Sequence, residues 1–445
     1  MIWFVFLVIA LVYYFKGHPL AALVILFFFL TSGFQFVPLS LFDTGFGITK
    51  ALDFAVIFIV WTFLVDVRTN IKMIREDPFA KTIIVFISFV LIAVLYSLIF
   101  YGYDLAYVIR SSRRFLILLI YFDFRKLNGF QLQSLVNFLL AVTFLQGAVY
   151  LLQIPTGTVL MNSGLVEGAS SLLISGGAWW SRYYNFPLFV VLFFFYVLLA
   201  KEVSPPKRFL FVFTFGVVIL ATFHRSWIFA VLVGILCVGL LTKARRAIVW
   251  LAVLYFAIIQ LPGSSSLSDR LLSGISDFNH AITGGYELTY LPDTFSFRIA
   301  HFIERAEYVA SSPQRILFGL GFLTEDSPYT RQLPFIVGYA DESGVVTQVD
   351  TSDIAWSLLV VFVGVLGTLL YIWLYAKGLV IAWNNRGLPI GQAALGFMVA
   401  MFFTSFTSTY FVDIPTFVGV PLFIAFIAAK SQSSLIPANT RGRIS

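Results

Sequence analysis

Apolar runs of about 15 to 20 residues recur along almost the whole chain, and they restrict its fold more than any other feature of the sequence. Hydrophobic residues make up 60% of the chain and charged residues 11%, whereas about 25% of residues in a typical soluble domain are charged. Inside a bilayer every backbone N–H and C=O needs a partner within the protein, so apolar runs of this length form helices. The sequence therefore predicts an all-α polytopic membrane protein.

About 12–13 transmembrane helices are expected. The first run begins Met1-Ile2-Trp3 with neither a basic stretch nor a small-residue cleavage site, which predicts a retained span rather than a signal peptide. The thirteen candidate spans are residues 2–15, 20–37, 52–65, 82–101, 105–122, 132–153, 185–200, 208–222, 227–241, 247–261, 354–376, 390–408 and 413–429.

One long polar segment interrupts this pattern between Leu261 and Asp353. From Pro262 to Asp353 the chain has twelve Asp and Glu residues against five Arg, a net charge of −7, although the whole chain carries a formal charge of +7. The predicted organisation is an N-terminal transmembrane bundle of about ten spans (1–260), a large extracytoplasmic loop with short helices (261–353), and C-terminal spans with a basic tail (354–445).

The positive charge outside this segment lies in short connections between spans, where it acts as a topology signal and does not indicate a nucleic-acid partner. When the spans alternate, all of these connections fall on one side, which predicts a cytoplasmic C-terminus, a periplasmic 261–353 loop and an N-terminus outside. The basic connections are Lys16–His18, Asp66–Lys81, Arg125–Lys126, Lys201–Arg208, Lys243–Arg246, Lys377–Arg386 and the C-terminal tail.

Residues Thr294–Ala310 of the polar segment are predicted to form a helix capped by Thr294 or Ser296 and ended by Ser311-Ser312-Pro313. A helical period places Phe297, Ala300, Ile303 and Ala306 on an apolar side. The same period places four residues on one polar face: Arg298, His301, Arg305 and Tyr308. A Gly319-Leu320-Gly321 turn follows the helix.

Two arginines are the leading candidates for binding an anionic group. Arg225 lies in a tight outer connection, where it can hold a lipid pyrophosphate by paired hydrogen bonds or reach towards lipid phosphates without a specific role. Arg298, on the loop helix, can stabilise a pyrophosphate leaving group, or it can form a salt bridge within the acidic loop, for example to Asp293 or Glu304. His301 and Arg305 share its face and join it as a catalytic and a substrate-binding candidate.

Further candidates for the same anionic pocket lie on other segments. Arg110, Arg113 and Arg114 have a spacing of i, i+3, i+4 inside the fifth apolar run, which predicts a shared face for substrate binding or an interfacial position at a later-starting span. Arg182 precedes the seventh predicted span on the outer side and is a substrate-binding candidate as well.

Asp350 and Asp353 stand just ahead of the eleventh predicted span. A carboxylate there can act as general base on an acceptor hydroxyl, and Asp353 is the chosen candidate. The alternative is that Ser352 or Asp353 caps the helix, which would favour the ionised form and weaken the base. No phosphate-binding loop, dinucleotide fingerprint or Cys/His metal spacing occurs, so neither a cofactor nor a metal is expected.

Several short motifs occur in a fixed order between about residues 216 and 376, and with Arg182–Pro187 upstream they resemble the O-antigen polymerase and O-antigen ligase superfamily. In chain order the motifs are His224-Arg225-Ser226, then Phe297-Arg298-Ile299-Ala300, then Pro313 with the segment Gln314–Gly321, then Asp353 ahead of Gly364-Val365-Leu366-Gly367.

The resemblance implies an integral membrane glycosyltransferase of the bacterial inner (plasma) membrane that polymerises undecaprenyl-pyrophosphate-linked repeat units into O-antigen, capsule or exopolysaccharide. By resemblance, Arg225 and Arg298 hold the pyrophosphate of the donor, and no nucleotide sugar is used. The lipid bilayer, the lipid-linked glycan, a chain-length regulator and a flippase are the implied partners. In the ligase branch a histidine stands at the position where this chain has Thr351-Ser352-Asp353. This departure from the ligase pattern favours a polymerase.

Three alternatives stay open. Ligase-type transfer of the glycan to another acceptor is the nearest. A cell-wall glycan polymerase of the shape–division type also has a long outer loop with an aspartate, but it has about ten spans and its motifs are not found. A transporter or flippase for lipid-linked oligosaccharides would show paired inverted halves, whereas this chain has one large loop between its tenth and eleventh predicted spans.

Overall fold

A computed structural model describes residues 2–43, 50–162, 169–170, 182–199, 203–222, 224–242, 249 and 294–435 of the chain. These residues are mostly helical. The strands among them are two residues long: β1 (Ala169–Ser170) pairs antiparallel with β2 (Arg182–Tyr183). The expected helical class is therefore confirmed for the described part of the chain.

Sixteen α-helices and four short 3-10 segments make up the described fold. The 3-10 segments are Leu39–Phe42, Arg113–Leu119, Pro328–Gln332 and Thr409–Val412. The helices are α1 (Ile2–Phe15), α2 (Pro19–Leu30), α3 (Ala51–Val65), α4 (Val67–Glu76), α5 (Pro78–Ile99), α6 (Leu105–Ser112), α7 (Ile120–Lys126), α8 (Gly129–Thr156), α9 (Val190–Leu199), α10 (Pro205–Ala221), α11 (Arg225–Leu241), α12 (Thr294–Ala310), α13 (Pro313–Phe318), α14 (Ala355–Asn384), α15 (Pro389–Thr404) and α16 (Ile414–Leu435).

Four of the described helices are long and apolar enough to cross a membrane: Pro78–Ile99, Gly129–Thr156, Ala355–Asn384 and the Ile414–Ser431 part of α16. Six shorter apolar helices accompany them, namely Ile2–Phe15, Pro19–Leu30, Ala51–Val65, Val190–Leu199, Ser226–Leu241 and Pro389–Thr404. The predicted span 247–261 lies outside the described residues, apart from residue 249.

Three predicted spans differ from the structure. The run 20–37 is helical only to Leu30, because the residues that follow enter a turn with positive φ at Ser32, Phe34 and Gln35. The run 185–200 becomes helical only at Val190. The run 105–122 is divided into α6, a 3-10 segment and α7, so it is not one α-helix. These boundaries were predicted from apolar composition alone, which does not show where the backbone turns within an apolar run.

Local capping signals agree with two of the long helices. The Asp77 carboxylate accepts the N–H groups of Phe79 and Ala80 at the start of α5, where Pro78 occupies the first turn. Asn128 and Gln131 form a reciprocal capping box at the start of α8, and Gly157 ends it with φ of +67°. These contacts satisfy backbone groups that the first and last turns of a helix leave unpaired.

Successive helices alternate between two ends of the array. We call the end that carries residues 294–353 the loop end. There Ala355 N–H donates to the Ser405 carbonyl at 3.0 Å, and the Trp227 ring lies 4.6 Å from the Tyr410 ring. The starts of α11 and α14, the end of α15 and the segment before α16 therefore meet at the loop end.

The opposite end carries several of the basic connections, and we call it the basic end. Lys126 Nζ lies 2.8 Å from Asp66 Oδ2, and Arg125 Nε lies 3.3 Å from Asp77 Oδ2. Tyr14, near the end of α1, hydrogen bonds to Asp66 as well. These contacts join the ends of α1, α3 and α7 to the start of α5, as alternation of the helices requires.

A glycine contact attaches the loop to the helical array. Leu320 N–H, in the Gly319–Gly321 turn, donates to the Val361 carbonyl at 2.7 Å. The Val361 carbonyl is available to the turn because α14 is kinked at Gly364, which has φ of +66°. A Cβ on Gly364 would lie 2.6 Å from the Gly319 nitrogen, so the two backbones touch without intervening side chains. The two glycine motifs predicted from sequence therefore pack directly on each other.

Candidate functional site

The loop helix α12 spans Thr294–Ala310, the range predicted from the sequence. Two residues of the predicted polar face, His301 and Arg305, are completely buried, whereas Phe297 and Ile303 of the apolar side are only half-buried. Ser296 lies inside the helix and so does not cap it. Buried partners on other segments meet these side chains, since His301 contacts Ser357 and Arg305 contacts the Gln348 carbonyl.

Arg298 and Asp353 form an ion pair, with Nη2 and Oδ1 3.6 Å apart. Arg298 is only 16% exposed and Asp353 is 39% exposed, so the pair lies at the surface of the loop end with the carboxylate outermost. Glu304, one predicted partner of Arg298, pairs with Arg305 instead, and Asp293 lies outside the described residues. Two residues that are 55 positions apart in the chain are thereby brought together.

The predicted capping role of Ser352 or Asp353 is wrong. Helix α14 begins at Ala355, and Ile354 occupies the cap position with no side-chain hydrogen bond to the helix. Asp353 N–H instead donates to Thr351 Oγ1 at 3.2 Å, in the turn that leads to the helix. The Asp353 carboxylate is therefore engaged by Arg298 and not by the helix amides.

Arg305 ties α12 to the segment that leads towards α14. Its Nη2 donates to the Gln348 carbonyl at 2.7 Å, its Nη1 pairs with Glu304, and its guanidinium lies 4.0 Å from the Phe335 ring centroid. Burial lowers the pKa of Arg305 to about 10, although Glu304 and Asp350 oppose this shift. All of these contacts are internal, and its role in substrate binding stays a prediction.

His301 connects the loop helix to α14, because its Nδ1 lies 3.1 Å from Ser357 Oγ. Burial, with a further contribution from the Arg305 charge, lowers the pKa of His301 to about 3. Nε2 is buried and has no hydrogen-bond partner among the described residues. The imidazole is therefore neutral at physiological pH and holds α12 in place.

His301 is expected to make the folded state sensitive to acid. The unfolded chain takes up this proton near pH 6.5 and the folded chain only near pH 3, so stability falls as the pH drops between these values. The expected loss is about 2 kcal/mol at pH 5. Thermal unfolding midpoints in detergent at about pH 7.5 and pH 5 should therefore differ less in His301→Gln than in the wild type. His18→Gln, at an exposed histidine, is the control and should keep the wild-type difference.

The three clustered arginines do not share a face, contrary to the prediction. Arg110 Nη1 lies 2.5 Å from Asp326, Arg113 pairs with Asp53, and Arg114 is half-buried between other elements. The i, i+3, i+4 rule assumes an uninterrupted α-helix. Helix α6 ends at Ser112 and a 3-10 segment begins at Arg113, and the side chains on the two sides of this boundary reach different partners.

Arg114 faces two carboxylates at the loop end. Its charge opposes the rise in the pKa of both Asp350 and Asp413, and burial is the main cause of that rise in each. Arg305 acts on Asp350 in the same way. We define the charged cluster of the loop end as Arg114, Arg298, Arg305, Asp350, Asp353 and Asp413.

Arg225 is the first residue of α11, and Arg182 lies in β2 opposite Ser170. The side chains of both arginines lie outside the described residues. The α11 backbone starts at the loop end, since the Trp227 ring packs on Tyr410 there. Their roles in pyrophosphate and substrate binding therefore stay predictions.

The sequence analysis missed two members of this region. Asp413 is a buried acid at the first residue of the last predicted span, and an acid at such a boundary is a detectable signal. Ser357 has no recognisable signal, because its role depends on His301 from another segment. Over the residues that the structure describes, no three His, Cys, Asp or Glu side chains are grouped in a way that suits a metal ion.

No protein-family model and no curated protein sequence matches this chain. The resemblance to the O-antigen polymerase and ligase superfamily therefore rests on the short motifs quoted above.

Proposed function

We propose that this chain is an integral membrane glycosyltransferase that polymerises undecaprenyl-pyrophosphate-linked oligosaccharide repeat units at the outer face of the bacterial plasma membrane. The observation that supports it best is the Arg298–Asp353 pair, which places a guanidinium and a carboxylate side by side at the loop end. A guanidinium suits a pyrophosphate, since it offers planar, paired donors. A carboxylate of the same short segment, which carries Asp350 and Asp353, suits the hydroxyl of an acceptor sugar.

The proposed topology puts the loop end outside the cell and the basic end in the cytoplasm. In support, Lys126 and Arg125 lie at the basic end, and positively charged connections stay on the cytoplasmic side of a membrane. The acid-rich residues 294–353 lie at the other end. A donor that has already crossed the bilayer would then meet the charged cluster at the water interface.

In the proposed reaction, the pyrophosphate of the growing donor binds to arginines of the loop end. Arg225 and Arg298 are the proposed contacts, with Arg114 and Arg182 adding positive charge. The chain's own residues would orient the donor and stabilise the negative charge on the leaving pyrophosphate. Since the donor sugar is already activated by its pyrophosphate bond, the reaction draws on no nucleotide.

The test is polymer formation by the purified protein in liposomes that contain undecaprenyl-pyrophosphate-linked repeat units. We expect the wild type to produce a ladder of products on a gel. Arg225→Ala should slow its formation about 100-fold, because one donor to a developing negative charge contributes about that much. Arg331→Ala, at an exposed arginine of the same loop, is the matched control and should leave the rate unchanged.

Two other results would redirect the proposal. A normal ladder from Arg225→Ala would keep the glycosyltransferase and remove Arg225 from its site. A wild type that yields no ladder, but moves a fluorescent lipid-linked oligosaccharide across the bilayer, would replace the enzyme by a transporter.

A further inference from the structure

Two aspartates three residues apart, Asp350 and Asp353, have different surroundings. Asp353 is paired with Arg298. The Asp350 carboxylate forms no ion pair within 4.0 Å among the described residues. Asp353 is thus engaged by a cation, whereas Asp350 has oxygen atoms available for a substrate.

The two residues that precede Asp350 are held in place by contacts with other segments. Val349 is completely buried, and the Gln348 carbonyl accepts a hydrogen bond from Arg305. The Gln348 side chain also accepts the Tyr339 N–H at 3.0 Å. A carboxylate on so constrained a segment has a defined position relative to α12, which a positioned catalytic group requires.

Charged groups from three other segments act electrostatically on Asp350. The positive charges of Arg114, in the 3-10 segment after α6, and of Arg305, in α12, favour its ionised form. Glu325, after the Gly319–Gly321 turn, adds a negative charge that interacts with it. Asp326, paired with Arg110, and Asp413, facing Arg114, lie next to this group.

The electrostatics favour proton uptake by Asp350. Burial raises the pKa of Asp350 above its usual range, and the Arg114 and Arg305 charges only partly oppose this. Partial burial and the neighbouring Asp350 and Asp326 charges also raise the pKa of Glu325. A carboxylate is a better base when its pKa is raised, and one paired with an arginine is a weaker base.

We propose that Asp350 is the catalytic base of the transfer reaction, and that Asp353 positions Arg298. This inference rests on the proposed function. The acceptor hydroxyl oxygen forms a bond to the anomeric carbon of the donor sugar, while the bond from that carbon to the pyrophosphate oxygen breaks. The hydroxyl proton moves to the Asp350 carboxylate, and the electron pair leaves with undecaprenyl pyrophosphate.

The inference is tested by product-ladder rates across a range of pH in the liposome assay. Asp350→Asn should lower the rate about 100-fold, the lower end of what a general base contributes. Asp353→Asn should lower it less, because it loosens Arg298 without removing the base. Glu342→Gln, at an exposed acid of the same loop, removes an equal charge and serves as the control.

The pH profile separates catalysis from folding. The wild-type rate should fall at acid pH as Asp350 becomes protonated. Glu325→Gln removes a negative charge beside Asp350, so this fall should move to lower pH. The residual rate of Asp350→Asn should lack the fall altogether. Unfolding midpoints of all variants are measured in parallel, and Asp350→Glu should recover part of the rate.

Each contrary result has a distinct meaning. A wild type without a ladder overturns the proposed function and this inference together. A wild-type ladder with an unchanged rate in Asp350→Asn overturns only the assignment of the base. If the fall in rate at acid pH occurs at the same pH in Glu325→Gln as in the wild type, the assignment of Asp350 as the base is also wrong. This test applies even if Asp350→Asn does not fold.

Discussion

Arg298→Ala is expected to lower the rate of polymer formation about a thousand-fold, the largest loss of activity that we expect from one substitution. The guanidinium is only 16% exposed, so its charge acts on a bound pyrophosphate through little water. The same change leaves Asp353 without its cation, which adds a negative charge where the donor is to bind. Initial rates of ladder formation in liposomes measure the effect.

Arg298→Lys is the informative companion, because it keeps the charge but loses the planar pair of donors. Its rate should lie between those of the wild type and Arg298→Ala. In a double-mutant cycle with Asp353→Ala, the two losses should not add, since the residues contact each other. Strict additivity, or an Arg298→Ala rate within a few-fold of wild type, would remove the pair from the site.

Gly364→Ala is expected to destabilise the folded protein by about 3 kcal/mol, the largest structural effect that we expect from a single methyl group. Gly364 has φ of +66°, which disfavours any side chain, and an added Cβ would lie 2.6 Å from the Gly319 nitrogen. Gly319→Ala should act similarly, since its φ is +69° and its Cβ would lie 2.8 Å from the Gly364 nitrogen. Thermal unfolding in detergent measures both changes.

Gly344→Ala is the matched control for these substitutions. Its φ of +81° is as unfavourable for alanine, but nothing lies within 4 Å of the added Cβ. Gly344→Ala should therefore lower the free energy of unfolding only by the backbone cost of about 1–2 kcal/mol. Its unfolding midpoint should fall less than that of Gly364→Ala. Equal midpoints for the three variants would show that the close approach of the Gly319 turn to α14 contributes nothing to stability.

The glycine contact also bears on the candidate site. The turn at Gly319 precedes Glu325, and the kink at Gly364 lies nine residues after Ala355, where α14 begins. A displaced turn would move Glu325 and Asp326 away from Asp350 and Arg110. We therefore expect any Gly364→Ala protein that folds to lose activity as well.

The loop helix illustrates how far local sequence signals reach. Its range, Thr294–Ala310, was predicted because a period of 3.6 residues ends at a serine pair and a proline. The burial of His301 and Arg305 was not predicted, because a helical period shows which side chains share a face and not which way that face points. Those side chains are buried since Ser357, Glu304 and the Gln348 carbonyl meet them there.

The sequence by itself determined the helical class, the range of the loop helix and the charge difference between residues 262–353 and the rest, because each depends on composition or on neighbours within a few turns. Only the tertiary structure decided that Arg298 meets Asp353, that Arg110, Arg113 and Arg114 separate, and that Asp350 faces Arg114 and Arg305. Such contacts join residues tens to hundreds of positions apart, and they follow from how α6, α12 and α14 pack together. Local periodicity carries no information about that packing.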